Sequence, residues 1–353
     1  MRVILLLLTV FALLPFLGTH KAYAQGKTPP SLVKIIHKPS FSLPLDCTYG
    51  VDCWILNYAD RGPDKDGAET DLACAHRTYD GHKGVDFALP DLAARDRGVA
   101  VRAGAAGTVL KARDGQDDHF PLTEEEETAI KTARTECGNA VLIDHGDGWQ
   151  SLSCHMKRGS IAVKPGQKVK AGDKIGMVGS SGLTQFPHLH FGLTHNGAVI
   201  DPLTGADIAT PCGRDKGASL FSKSLKIAYE PLVITTAGFK NAAPTMEELE
   251  KDSAPATKLS ASGKSLVFYA IALGVREKDS VALTILDPRR KTYAAIEKIM
   301  DKDRARQMLF AGRAIPENAP LEAGTYTGRI VVKRSGKDGK DQIFEKESLV
   351  EIE

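Results

Sequence analysis

The 353-residue sequence has no charge imbalance: 46 lysines and arginines stand against 44 aspartates and glutamates. No basic tract breaks that balance, so no segment is suited to follow a phosphate backbone and no nucleic-acid partner is expected. There is no C-x-x-C pair, which removes the usual thiolate metal-binding modules. Beyond the first residues, no stretch is long and apolar enough to span a bilayer. No cysteine follows the one apolar run near the start, which argues against a lipid-anchored protein. Neither cysteine nor histidine occurs after Cys212. The last third therefore offers no imidazole or thiolate chemistry. No internal repeat or low-complexity tract is present.

The opening residues read as a secretory address over 1–24. Met1-Arg2 is a short positive start, Val3 to Leu17 is almost wholly apolar, and Ala22-Tyr23-Ala24 forms an A-x-A cleavage site before Gln25. The competing reading is a membrane anchor, but the run falls short of the roughly 20 residues a spanning helix needs and Pro15 interrupts it. The expectation is an exported chain, periplasmic or extracellular, with no stable membrane insertion after cleavage. Its six cysteines (Cys47, Cys53, Cys74, Cys137, Cys154 and Cys212) are even in number, as a disulfide framework in an oxidising compartment requires. Cys47 and Cys53 are near enough to close a small loop. A thiolate zinc site, for which only Cys137 and Cys154 are placed, is the weaker alternative.

Residues 25–45 form a polar, Pro-containing lead. From Cys47 to about Cys212, short apolar alternations are cut by glycine. Stretches at 98–104, 107–111, 140–144, 149–154, 167–169, 174–178 and 189–194 read as strands, and Gly146-Asp147-Gly148 as a turn. Many short strands with glycine punctuation argue for an all-β sheet or barrel over 46–215. One helical insertion is expected at about 122–136, with Thr123 as N-cap, Glu124 to Glu127 at its start, and Lys131 and Arg134 near its end. It reads as a solvated surface helix; the sharper alternative is a wall of a cleft. From about Leu225 the pattern changes, with alternation at 226–234, 265–273, 280–286, 306–312, 325–333 and 342–350. That spacing suggests an immunoglobulin-like β-sandwich over 223–353, with residues 242–257 as an irregular connector.

Two fragments carry the chemistry: His82-Lys83-Gly84-Val85-Asp86 and His188-Leu189-His190. In a strand, side chains at i and i+2 share a face, and so do i and i+4. Three imidazoles and one carboxylate can therefore face one cavity. Zinc prefers that set, with one group to spare for proton transfer. A hydrolytic zinc site needs three protein ligands, an open position for water, and unligated acid and base groups, a task for which imidazole is suited. Any one of these histidines alone would be an ordinary packed or surface residue. His145, beside Gly146, reads as a turn residue, and His37, His76, His119 and His195 as surface residues.

The two fragments resemble the signatures of the lysostaphin-like zinc endopeptidases, which cut peptide cross-links in bacterial peptidoglycan. The likeness runs in order over about residues 80 to 203. Gly98-Val-Ala-Val-Arg-Ala followed by Gly107-Thr-Val is similar to the family's G-x-x-V-x-A…G-x-V. The run from Gly138-Asn139 to Gly148 matches G-N-x-V-x-I-x-H-x-x-G. His155-Met156 occupies the family's Y-x-H-L position, and the run from Val163 to Gly179 matches V-x-x-G-x-x-V-x-x-G-x-x-I-G-x-x-G. Asp201-Pro202 closes the match.

This resemblance implies a lysostaphin-type β-sheet peptidase domain (the duplicated hybrid motif). It also implies one zinc per chain held by His82, Asp86 and His190, and an unligated pair, His155 and His188. Either of that pair could be the base, the other orienting water or stabilising an oxyanion. Asn139 falls either at the cleft or in a structural turn. Where the family usually carries tyrosines, this chain has Cys137 before Gly138 and Ser153-Cys154 before His155. The departure predicts a Cys137–Cys154 bridge pinning the strand that carries His155. The expected function is an exported endopeptidase acting on peptidoglycan stem peptides or cross-links. A non-catalytic peptidoglycan-binding or amidase-activating protein, or a secreted peptidase on Gly-rich protein, are the alternatives.

Overall fold

A computed structural model describes residues 38–63, 67–214, 217–336 and 339–353. The leader, its cleavage site, His37 and most of the 25–45 lead lie outside the described residues. No helix among the described residues is long and apolar enough to cross a membrane.

The first region holds β1 (Trp54–Asn57), β2 (Val85–Ala88), α1 (Leu92–Arg97), β3 (Ala100–Arg102), β4 (Gly107–Arg113), α2 (Glu124–Ala133), β5 (Asn139–Gly146), β6 (Trp149–Met156), β7 (Lys168–Val169), β8 (Lys174–Met177), β9 (His188–His195) and β10 (Ala198–Ile200). One antiparallel sheet runs β1-β2-β9-β6-β5-β4-β7, with β10 on β9; β3 and β8 form a separate pair. All seven strand stretches read from the sequence are strands here. The Gly146-Asp147-Gly148 turn has positive φ throughout (84°, 48° and 83°), which favours glycine at its two ends.

Alternation along the central strands decides which face is core and which is site. Val85 and Phe87 on β2, and Leu189, Phe191 and Leu193 on β9, all enter one apolar core with Phe41, Ile55, Val141, Ile143 and Met156. The residues between them, Asp86 on β2 and His188 and His190 on β9, are left on the opposite face. That core also takes Phe41 and Leu45 from before β1 and Leu220 and Phe221 from after β10. Three disulfides tie the region: Cys47–Cys53, Cys74–Cys212 and Cys137–Cys154. The last is the bridge expected from the departure at Cys137 and Cys154.

Helix α2 begins at Thr123, whose hydroxyl accepts from the Glu126 N–H while the Glu126 carboxylate accepts from the Thr123 N–H, a capping box. Only Ile130 is buried, so the helix is largely solvated. Glu127 nevertheless reaches the lip of the cleft described below.

The second region holds β11 (Val233–Lys240), α3 (Met246–Lys251), β12 (Lys258–Leu259), β13 (Ser265–Val275), β14 (Ser280–Leu286), β15 (Thr292–Ile299), β16 (Arg304–Ala314), β17 (Gly324–Ser335) and β18 (Asp341–Ile352). Its sheets are β11-β13-β16 and β12-β18-β17-β14-β15. Phe239, Leu266 and Phe268 from the first meet Val281, Leu283, Ile330 and Val332 from the second in one core. Gly328 permits the close approach, since a Cβ there would lie 2.1 Å from the Phe268 ring.

Two expectations need correction here. The strand expected over 226–234 begins only at Val233: Pro231 lacks the N–H a ladder needs, and Ile227 and Tyr229 pack instead against the first region's core. The connector at 242–257 contains α3, started by a second capping box between Thr245 and Glu248 and anchored by buried Leu249.

Candidate metal and catalytic site

The register of the sheet lines up the chemistry in two rungs of one face. Asp86 on β2 stands directly opposite His190 on β9, which in turn stands opposite Cys154 on β6. Two residues along, past the Phe87–Leu189 pair that faces the core, Ala88 on β2 pairs with His188 on β9. His82 comes from the loop before β2. The Asp60 carboxylate shapes that loop by accepting from the N–H groups of Gly62, Thr70 and Gly81 at 2.9, 3.1 and 2.9 Å. The Asp60 N–H donates to the His82 carbonyl at 2.8 Å. Gly84 in the H-x-G-x-D fragment has a steric reason: a Cβ there would sit 2.6 Å from the Phe191 carbonyl oxygen and 2.9 Å from His190 Cε1.

His82 Nε2, His190 Nδ1 and Asp86 Oδ1 form a triangle with 3.0 Å on each side. His82 Nδ1–H donates to the Tyr58 carbonyl at 2.6 Å, which leaves a lone pair on Nε2 facing the other two atoms. The second oxygen of Asp86 accepts from Asn57 Nδ2 at 3.0 Å. A single proton can bridge only one side of this triangle, whereas a divalent cation at its centre satisfies all three donors. Ligand atoms about 2.0–2.1 Å from a tetrahedral zinc lie roughly 3.3 Å from each other, so the donor set fits that ion with little adjustment.

The charges around the triangle are strongly coupled. Burial would raise the Asp86 carboxyl, but the His82, His188 and His190 rings hold it well below the usual carboxylate range. Burial lowers His82, and the Asp86 charge and hydrogen bond more than reverse that. For His190 burial prevails over Asp86 and keeps the ring below its ordinary value.

His155 and His188 stand beside the triangle with ring centroids 4.6 Å apart, and His188 Nε2 is 3.7 Å from Asp86 Oδ1. Both rings are anchored in the same way. His155 Nδ1–H donates to the Ser181 carbonyl at 2.9 Å, and His188 Nδ1–H to the Phe186 carbonyl at 2.7 Å. Each is thereby fixed in the tautomer whose Nε2 carries a lone pair. Burial, then the His188 and His190 rings, bring His155 down to about 3, so it is neutral at ordinary pH. The five residues singled out in the sequence thus meet in one place.

His155 gets there by an irregularity the sequence did not announce. Ser151 and Ser153 on β6 face the core side with Leu193 and Phe191, so strict alternation would send His155 to the core as well. Its backbone is left-handed (φ 59°), which turns it to the metal side and lets Met156 take the core position.

Other residues form the surroundings. Tyr79 stacks on His82 at 4.4 Å. A cleft of about 630 Å³ opens over the site, lined by Asn57, Tyr79 and Glu127 of the first region and by Met246, Glu250 and Arg306 of the second. Asn57, Tyr79, Thr184, Phe186 and Arg306 carried no spacing signal; only the register and the tertiary fold bring them here. Asn139 is structural: fully buried, it accepts from the Gln116 N–H and donates to the Gln116 and Met156 carbonyls. His145 bridges Ala106 and Ser151, His76 contacts Glu69, His119 pairs with Glu126, and His195 stacks on Trp149, all outside the cleft lining.

Residues 80–202 match the sequence model of peptidase family M23. This segment belongs to that family. An uncharacterized metalloprotease of Haemophilus influenzae is 32% identical over 123 residues, 35% of this chain and 20% of its own length. The peptidoglycan DD-endopeptidase ShyA of Vibrio cholerae is 30% identical over 122 residues, 35% of this chain and 22% of its own. The solved catalytic domain of lysostaphin from Staphylococcus simulans is 26% identical, covers 41% of this chain and 86% of that one, and has a TM-score of 0.27. The match thus spans about a fifth of the length of these two curated relatives.

Proposed function

We propose that the protein is an exported zinc endopeptidase that hydrolyses peptide cross-links or stem peptides of bacterial peptidoglycan. The observation that carries this reading is the meeting of three metal-type donor atoms with two carbonyl-anchored imidazoles inside the M23 segment. His82, Asp86 and His190 would hold one zinc ion. When bound, zinc supplies Lewis acidity to a water and to the scissile carbonyl. The remaining chemistry belongs to the side chains. His155 and His188 each present an Nε2 lone pair; one takes the proton of the attacking water, and the other orients that water or stabilises the developing oxyanion. Peptide substrate occupies the cleft over the triangle. Relatives named for DD-endopeptidase activity on peptidoglycan support the substrate class, and three disulfides support an oxidising, extracytoplasmic location.

We read the chain as a leader at 1–24, a peptidase domain over 46–215 and an accessory domain over 223–353. The accessory domain's strand order supports an immunoglobulin-like sandwich: its first, third and sixth strands form one sheet. Its second strand runs parallel to its last in the other sheet.

The test is digestion of purified peptidoglycan by the mature chain, with and without a chelator, read by mass spectrometry of released muropeptides. New muropeptides that disappear with chelator are expected. Binding to sacculi with no change in muropeptides defeats the catalytic reading and leaves a binding or activating protein.

A further inference from the structure

The loop 183–187 carries His188 into the site, and the second region grips that loop. Phe186 is buried in a small cluster with Trp54, Leu56 and Ala88 of the first region and Leu273 of the second, with Val233 packed against it. Leu273 and Arg306 are directly opposite each other on β13 and β16, so both project onto Phe186 from one face. The Arg306 guanidinium lies over the Phe186 ring, its Cζ 4.0 Å from the ring centroid. Arg306 is itself held by Glu250 of α3, Nη1 to Oε1 at 2.6 Å.

The carbonyl of this same Phe186 is the acceptor that orients His188, and it also accepts from the Thr184 hydroxyl at 2.7 Å. The chain of contacts therefore runs from Glu250 to Arg306, to the Phe186 ring, to the Phe186 carbonyl, to His188 Nδ1–H. A shift of the Phe186 backbone would free His188 to change tautomer or rotate, and its Nε2 lone pair would no longer face the site.

We propose that Arg306 is a positioning residue for His188, which makes the two-sheet region a working part of the active site. This rests on the reading of His188 as a proton-handling group. Arg306 contributes no atom to the reaction; it fixes the acceptor that fixes the imidazole. Stacking of a planar cation on the ring suits Arg and not Lys.

The test uses the full mature chain loaded with zinc, comparing Arg306→Ala, Arg306→Lys and Phe186→Leu with the parent. Phe186→Leu keeps the carbonyl and an apolar side chain but removes the ring, so it serves if loss of Arg306 prevents folding. The first readout is the imidazole 15N spectrum, with His188 assigned by its loss in His188→Ala. The parent should show one protonated Nδ1, and Arg306→Ala and Phe186→Leu a mixture, at unchanged zinc content. The second is kinetic: kcat falls roughly ten- to a hundredfold with KM within about twofold. In a His188→Ala background Arg306→Ala should add no further loss, because the two act through one group. A His188 tautomer unchanged in both Arg306→Ala and Phe186→Leu overturns the proposal. So does a raised KM at constant kcat, which would make Arg306 a substrate contact, or losses that multiply in the double variant. If the parent cuts neither peptidoglycan nor peptide, the hydrolase reading fails, and the 15N spectrum still decides the positioning role.

Discussion

Cys154 faces His190 directly across β6 and β9, and the next residue, His155, leaves the strand's alternation through a left-handed backbone. Two links hold that departure in place: the Cys137–Cys154 disulfide and a hydrogen bond from the His155 N–H to the Cys137 carbonyl at 2.9 Å. A non-glycine residue in this conformation persists where its surroundings over-determine it. The bridge is thus bound up with where one imidazole points.

Removing the bridge by the paired change Cys137→Ser and Cys154→Ser separates the two halves of the site. The triangle rests on the loop before β2, on β2 and on β9, so zinc should remain at one per chain. His155 should lose its fixed direction, and turnover should fall by about tenfold or more. Closing a loop of this size contributes about 3 kcal/mol, so the melting temperature should drop as well. Zinc analysis, a thermal melt and a rate on one substrate check all three. Full activity in the bridge-free protein would remove the link between disulfide and His155.

Part of this site was legible in the sequence because Asp86, His188 and His190 sit on regular strands, whereas His82 comes from the loop before β2. Period-two alternation places His188 and His190 on one face, and Asp86 pairs with His190 in simple antiparallel register. His155 was legible only through a family pattern, because alternation alone sends it to the core. The left-handed residue that corrects this depends on tertiary contacts with residue 137. The strand misplaced at 226–234 has the same origin: its apolar residues satisfy another region's core, which local periodicity cannot distinguish from a strand face. The short helix α3 was in principle readable, since Thr245 and Glu248 have capping-box spacing.

The ligand and proton-transfer roles of the histidines should separate cleanly. His190→Ala removes one corner of the triangle and should abolish stoichiometric zinc binding. His155→Ala touches no corner and should keep zinc while turnover falls by about 10²–10⁴-fold, the usual contribution of a positioned acid or base. Metal analysis after dialysis, paired with a single-turnover assay, distinguishes them. Full zinc content in His190→Ala would refute the ligand set.

Gly84 should tolerate no side chain. In Gly84→Ala the methyl group meets the Phe191 carbonyl oxygen and His190 Cε1, and neither is the far end of a flexible chain. The strand pairing or the His190 ring must move. The expected result is destabilisation of about 1–3 kcal/mol together with weaker zinc binding. A control at Gly50, where a Cβ would meet nothing within 4 Å, should leave zinc binding intact, although its positive φ still carries a backbone cost. Equal zinc affinity in Gly84→Ala and the parent would show that the packing is looser than the distances imply.

Asn57 tests how far the carboxylate depends on its support. Its amide donates to the Asp86 oxygen that is not part of the triangle, so it fixes the rotation of the carboxylate without touching a metal. Asn57→Leu keeps the branching at Cγ and removes the donor, leaving Asp86 free to turn and its outer oxygen buried without a partner. Loss of such a supporting hydrogen bond typically costs about 10–100-fold in metal affinity. Competition with a chromogenic chelator measures that directly. Asn57→Asp should be worse than Asn57→Leu, because it sets a second carboxylate against Asp86 where a donor is needed. If Asn57→Asp instead binds zinc as tightly as the parent, Asp86 is oriented by the His82 and His190 contacts alone.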